Sequence, residues 1–134
     1  MTRTASILLH AVLGVAAVAA GLAFARRPDG GDLGMEATWL EGSPFTDFRI
    51  PGLFLLLVIA PANVASALLL ARRHRGGPYL SLATGLLLVV WLAIQTAILG
   101  LRHWSQLLWW AVFPLVALLG AMQVHRQRRE EHRG

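Results

Sequence analysis

The chain has 134 residues, a length that suits one domain. Apolar residues make up 56% of it and charged residues 14%, where soluble chains carry about 45–50% and about 25%. The formal net charge is +5 and there is no cysteine, which excludes disulfides, thiolate metal sites and cysteine nucleophiles.

The charges are segregated. Residues 4–25, 50–71, 76–101 and 103–125 contain no Asp, Glu, Lys or Arg. Each run meets the requirement of about 20 apolar residues for crossing a hydrocarbon core about 30 Å thick. The expected fold is therefore all-α: a four-helix transmembrane bundle forming a single membrane domain over 1–134. Its spans fall near 4–25, 50–71, 78–101 and 104–125.

The first run begins with Arg3 and carries His10 and a small-residue face at Gly14, Ala17 and Gly21. Such a face lets helices approach closely. Ala23-Phe24-Ala25 also resembles a signal-peptide cleavage site, but the apolar stretch exceeds the usual core of about 7–15 residues, which favours a retained span.

The first loop, 26–49, opens on the turn-forming Pro28-Asp29-Gly30-Gly31-Asp32. Met35–Glu41 is expected to form a short helix. Ser43-Pro44 reads as an N-cap followed by proline at the first helical position, with one or two turns through Arg49. Trp39, Phe45 and Phe48 suggest a segment lying on the membrane surface. Glu36, Glu41, Asp47 and Arg49 would be the acid–base set of an enzyme acting on a lipid-linked substrate. Their spacing matches no catalytic signature, and a solvated acidic loop is the favoured reading. Trp39, Glu41, Asp47 and Arg49 remain the candidate outer-loop residues.

In the second run Pro61 frees the carbonyl of Leu57, and Asn63 and Ser66 share one side. After the basic loop 72–77, the third run carries a stripe at Ser81, Thr84, Leu88, Trp91 and Gln95. Its spacings of 3, 4, 3 and 4 place it within about 80° of helix face. Polar groups in hydrocarbon are costly unless paired, so this stripe should face the bundle interior. Asn63, Ser66, Thr84, Trp91 and Gln95 are the candidate ligand pocket. Interhelical hydrogen bonding is the simpler alternative and carries more weight. The fourth run repeats the proline device at Pro114 and offers a second small-residue face at Ala117 and Ala121. Trp104, Trp109 and Trp110 form an aromatic belt. The tail is 126–134.

Orientation follows from arginine counts. Arg72, Arg73 and Arg75 in the second loop, and Arg126, Arg128, Arg129 and Arg133 in the tail, assign both to the cytoplasm; Arg26-Arg27 argues the other way and is outvoted. The expected topology is N-in, C-in. All twelve basic residues are arginine, the habit of a GC-rich bacterial genome, so the expected location is a bacterial cytoplasmic membrane. The bilayer itself is the first expected partner. A larger membrane protein or a homo-oligomer is the second, and no nucleic acid is expected.

Proton-driven transporters usually place a carboxylate within the membrane. The small multidrug exporters share this length and four-helix plan but depend on a glutamate in the first span, which is missing here. Haem between His10 and His125 is disfavoured against a reading of both as interfacial histidines, so no cofactor is expected. The stretch Trp39-Leu40-Glu41-Gly42-Ser43-Pro44-Phe45, continuing to Ile50-Pro51-Gly52, resembles a segment of small bacterial four-helix membrane proteins. The general plan is similar to the DoxX-like group, without a matching motif, and the resemblance implies no activity.

The leading expectation is a non-enzymatic membrane protein, either a partner of a membrane complex or a binder of a lipid-like molecule inside the bundle. A transporter or channel component for an uncharged solute comes next, then the outer-face enzyme.

Overall fold

The computed structural model describes residues 2–133; Met1 and Gly134, at the edges of the expected domain, lie outside the described residues. Four long helices make up the chain: α1 (Thr2–Arg26), α2 (Arg49–Ala71), α3 (Gly77–Leu99) and α4 (Trp104–Arg133). Each is long and apolar enough to cross a membrane. Large apolar side chains stand exposed along every helix, with Val15 and Leu57 both 71% exposed. Soluble monomers rarely show apolar patches beyond a few hundred Å2, and a surface of this kind suits acyl chains.

The helices run antiparallel in sequence. One end of the bundle, the terminal end, holds the start of α1, the α2–α3 turn and the end of α4. The other, the loop end, holds the 27–48 loop and the short α3–α4 connection. The last helix does not stop at the apolar boundary. It continues through the arginine-rich tail to Arg133, tied to the α2–α3 turn by Gln127 Nε2 donating to the Arg75 carbonyl at 2.8 Å.

Pro61 acts upstream of itself. Residues Leu55–Ile59 form a π-turn, in which the Ala60 N–H reaches the Leu55 carbonyl. Proline has no N–H for the ordinary ladder, and widening the preceding turn is one way a helix absorbs that loss. Pro114 lies inside an uninterrupted α4.

Helix spacing is set by glycine. A Cβ on Gly85 would lie 2.6 Å from the Ala117 backbone, and one on Gly120 would lie 2.7 Å from the Leu82 backbone, so α3 and α4 touch main chain to main chain. Gly21 and Gly52 do the same for α1 and α2, where a Cβ on Gly52 would lie 2.6 Å from Phe24 Cβ. The small face Gly14, Ala17 and Gly21 is buried, as its spacing suggests. On α4 the partner of Ala117 is Gly120 rather than Ala121, which is exposed.

The loop differs from expectation at Ser43-Pro44 and in the placement of its aromatics. A single 3-10 turn occupies Ala37–Leu40, inside the stretch expected to be helical. Ser43-Pro44, however, does not start a helix. The Ser43 hydroxyl donates to the Leu40 carbonyl at 2.7 Å and accepts the Phe45 N–H at 3.2 Å, which closes a local turn instead. Helix resumes only at Arg49. The aromatics of this loop fold down onto the bundle: Phe48 is buried and stacks on Phe24 with centroids 4.9 Å apart, beside Met35, Leu40 and Leu99.

Candidate functional site

The terminal half of the bundle is closed by hydrogen bonds. His10, on the third turn of α1, is fully buried. Its Nδ1 lies 2.8 Å from Asn63 Oδ1 and its Nε2 2.7 Å from Ser81 Oγ, so one ring joins α1, α2 and α3. The amide orientation follows from its other bond, because Asn63 Nδ2 donates to the Ile59 carbonyl at 2.9 Å. Oδ1 must then accept from Nδ1–H, which leaves Nε2 to accept from the Ser81 hydroxyl. A neutral imidazole satisfies every partner. Next to it Ser66 Oγ donates to the Ala62 carbonyl and meets Thr84 Oγ1 at 3.0 Å, joining α2 to α3. Gln123 Nε2 donates to Ser6 Oγ at 2.6 Å, joining α4 to α1. Among the described residues, no buried side-chain nitrogen or oxygen is left without a partner.

The loop half is built differently. Between α1 and α4 lies a cavity of about 360 Å3. Leu13, Ala16, Ala17 and Ala20 line the α1 side, with Trp109 and Phe113 opposite them on α4. The back wall is Leu55 and Ile59 of the π-turn with Leu88 and Trp91 of α3. Its aromatics are held in pairs: Phe54 stacks on Trp91 at 4.7 Å and Trp109 on Phe113 at 5.3 Å. Asp32, Leu33 and Met35 of the first loop close the end. They are anchored by His103, whose Nε2–H donates to the Leu33 carbonyl at 2.8 Å while Nδ1 meets Ser105 Oγ at 2.6 Å.

The α3–α4 connection that carries His103 is itself fixed by Gln106. Its Oε1 accepts the N–H groups of Arg102 and His103, both at 2.9 Å, and its Nε2 donates to the Gly100 carbonyl. A glutamine three residues into a helix reaching back to the N-cap backbone is the capping-box arrangement.

Gln95 stands apart from the other interior amides. Asn63, Gln106 and Gln123 are all paired. Gln95 is half-buried on the cavity wall and makes no hydrogen bond to another described residue. Its neighbour Thr96 is used elsewhere, accepting from Trp110 Nε1 at 3.0 Å.

The expected pocket set is thus divided by the structure. Asn63, Ser66 and Thr84 belong to the sealed half, where they bond helices and one another. Trp91 and Gln95 face the cavity. Of the outer-loop residues, Trp39 packs on the small core beside Leu40, Glu41 and Arg49 are exposed, and Asp47 Oδ1 accepts the Arg49 N–H at 3.0 Å. None of the four lines the cavity; Asp32, Leu33 and Met35 do so instead. Glu36 is occupied locally with Thr38. Among the described residues no group of three or more His, Cys, Asp or Glu is placed to hold a metal. The weighed haem pair is not assembled, since His10 has both ring nitrogens engaged and His125 is exposed.

Sequence reasoning took His10 for an interfacial residue and passed over Ser6, Gln106 and Gln123. A signal existed: Ser6, His10, Leu13 and Ala17 are spaced 4, 3 and 4, and Phe113, Val116, Gly120 and Gln123 are spaced 3, 4 and 3. No family model, curated protein or solved structure matches the chain.

Proposed function

We propose that this chain is a non-enzymatic integral membrane protein that binds a lipid-like molecule in the loop-end cavity, alone or as a subunit of a larger membrane complex. The observation that carries the reading is the cavity itself: about 360 Å3, walled by alanines and paired aromatics, with one amide left free at Gln95. Ligand sites are typically clefts of about 300–1,000 Å3 with apolar walls and a few placed polar groups. The free group is uncharged and can both donate and accept. The nearest charges are already paired, since Asp32 meets Arg26 at 3.5 Å and Arg27 at 3.6 Å. The ligand class is therefore an amphiphile with an apolar body and an uncharged hydrogen-bonding head.

The same reading assigns the chain to a bacterial cytoplasmic membrane with both termini inside. Arginines crowd the terminal end, and the Arg26-Arg27 pair that opposes this topology is matched by Asp29 and Asp32 in the same loop. The cavity then opens in the outer leaflet. The chain has no native cysteine, so single cysteines at Glu36 and Arg128 would report orientation by labelling with an impermeant maleimide in intact cells. Labelling of the Arg128 site in place of Glu36 would reverse the topology.

The decisive experiment fills the cavity. Ala20→Phe projects a ring into it and, where space exists, should change stability by less than about 1 kcal/mol. Lipid retained through purification in mild detergent should fall at least tenfold against the unaltered chain. Unchanged retention would remove the proposal.

One observation supports transport of an uncharged solute as a second reading. Ile59 lines the cavity, and its carbonyl also accepts the Asn63 amide of the sealed half, so movement of the π-turn would be felt at the His10 bonds. Solute flux in reconstituted vesicles separates the two readings.

A further inference from the structure

At the opposite end of the bundle is a second cavity, about 320 Å3, with the reverse chemistry. Arg3 of α1, Arg73 and His74 of the α2–α3 turn, and Arg126, Gln127 and Glu130 of α4 contribute to its wall. We propose that this cavity binds a phosphate-bearing group, in the first instance the headgroup of an anionic phospholipid in the leaflet at the terminal end.

Three arginines from three separate elements line one hollow, against a single carboxylate, Glu130. The neighbouring carboxylate that would balance them is taken, because Glu131 Oε1 pairs with Arg75 at 2.9 Å on the rim. Arg3, Arg73 and Arg126 form no ion pair with a described residue. Like charges held around a common space repel unless an anion occupies it.

The backbone places one of them there deliberately. Arg73 has a φ of 56°, in the left-handed region. Its N–H reaches the Leu70 carbonyl at 3.2 Å and the His74 N–H reaches the Leu69 carbonyl at 2.9 Å, which together close α2 in a Schellman turn. Glycine usually fills this position because a side chain there is strained. The strained turn thus carries an arginine onto the wall of the cavity.

A donor is also preset. The Gly76 N–H donates to His74 Nδ1 at 2.9 Å, so the neutral ring carries its proton on Nε2. Guanidinium forks and N–H donors at a membrane boundary are the chemistry that recognises phosphate. The site is separate from the loop-end cavity and does not depend on the reading given for it.

The test uses the full-length protein in nanodiscs of phosphatidylcholine doped with phosphatidylglycerol. Lipid retention would be read by native mass spectrometry, with inorganic phosphate as a competitor. Phosphatidylglycerol should be enriched around the unaltered chain. Arg3→Gln with Arg126→Gln should lose about 25-fold of that preference, about fivefold per arginine near a charged surface. Arg73→Gly keeps the turn while removing the guanidinium. It should lose preference with unchanged or higher thermal stability, which a folding defect would not produce. Arg128→Gln with Arg129→Gln removes the same charge outside the cavity and should retain most of the preference. Full displacement by millimolar phosphate would identify a soluble phosphate ligand of the same site; resistance to it would identify the lipid headgroup. An equal loss in the Arg128/Arg129 variant, or no preference for phosphatidylglycerol together with no saturable phosphate binding, overturns the proposal.

Discussion

The two halves of the bundle solve the same problem in opposite ways. In the terminal half the helices are drawn together, and the interior polar groups bond from helix to helix: His10 with Asn63 and Ser81, Ser66 with Thr84, Gln123 with Ser6. In the loop half α1 and α4 lie on opposite sides of a cavity, and Gln95 keeps its amide free. Polar residues inside a membrane bundle therefore do not by themselves mark a site. What separates adhesive from recognition is whether each group is already satisfied, and among the interior amides of the described residues Gln95 alone makes no hydrogen bond.

The largest expected effect attacks the tight half at its backbone contact. Gly85→Leu or Gly120→Leu drives a side chain into main chain of the facing helix, which cannot retreat like a flexible side-chain tip. A loss of about 3 kcal/mol, the upper end for overpacking, is expected, seen as aggregated or unrecoverable protein in detergent chromatography. Folded, monodisperse variants would show that α3 and α4 are not in backbone contact.

Second comes His10→Leu. It strands Asn63 Oδ1 and the Ser81 hydroxyl in the interior, at about 2 kcal/mol for the two, about 1 kcal/mol each. Removing the partners as well, in His10→Leu with Asn63→Leu and Ser81→Ala, should recover much of the loss, because apolar groups leave nothing unpaired. A triple variant no more stable than the single, by thermal unfolding in detergent, would show that His10 contributes through something other than these bonds.

What the sequence disclosed follows the range of the interactions. The four long apolar helices were legible because a run of about 20 residues without charges is a local property of the sequence. That Asn63 and Ser66 share a side was legible from helical period alone. Their partners were not: His10 meets residues 53 and 71 positions away, and Ser6 meets one 117 away. Periodicity shows which face is inward but not which inward groups meet. The loop failed for a different reason. Ser43-Pro44 is a competent cap, but Ser43 closed a turn with Leu40 while Phe48 was drawn onto Phe24, a tertiary contact that overrode the local signal. The cavity could not be read at all, since it is defined by where side chains are missing.

Gln95→Leu sharpens the comparison with a smaller effect. Interhelical hydrogen bonds average about 0.6 kcal/mol, and Gln95 makes none within the described chain, so stability should stay within that margin. Bound amphiphile should weaken about fivefold, the worth of one ordinary hydrogen bond. Asn63→Leu should behave inversely, destabilising the bundle while a folded fraction keeps its ligand. Ligand loss from Asn63→Leu without loss of stability would return the site to the terminal half.

The smallest effect is expected at the rim of the tight half, where the geometry taken alone suggests a strong interaction. Arg75 and Glu131 meet at 2.9 Å, but their side chains are 83% and 42% exposed. Water and salt screen such a pair, and ordering two long side chains offsets most of what attraction remains. The hydrogen bond that Arg75 donates to Glu131, with the attraction of that carboxylate's charge, raises the Arg75 pKa above its ordinary value. A raised basic group stabilises the fold below its unfolded pKa and loses that contribution only above its folded one. Both lie far above neutral pH, so Arg75 titration adds no slope to stability between about pH 5 and 9. Arg75→Gln should therefore leave the thermal midpoint unchanged at physiological salt. The helical tail should stay docked through the Gln127 bond to the backbone carbonyl of residue 75, which the substitution retains. A midpoint lowered as far as in His10→Leu would mean that surface charge, and not the interior polar network, holds this end of the bundle together.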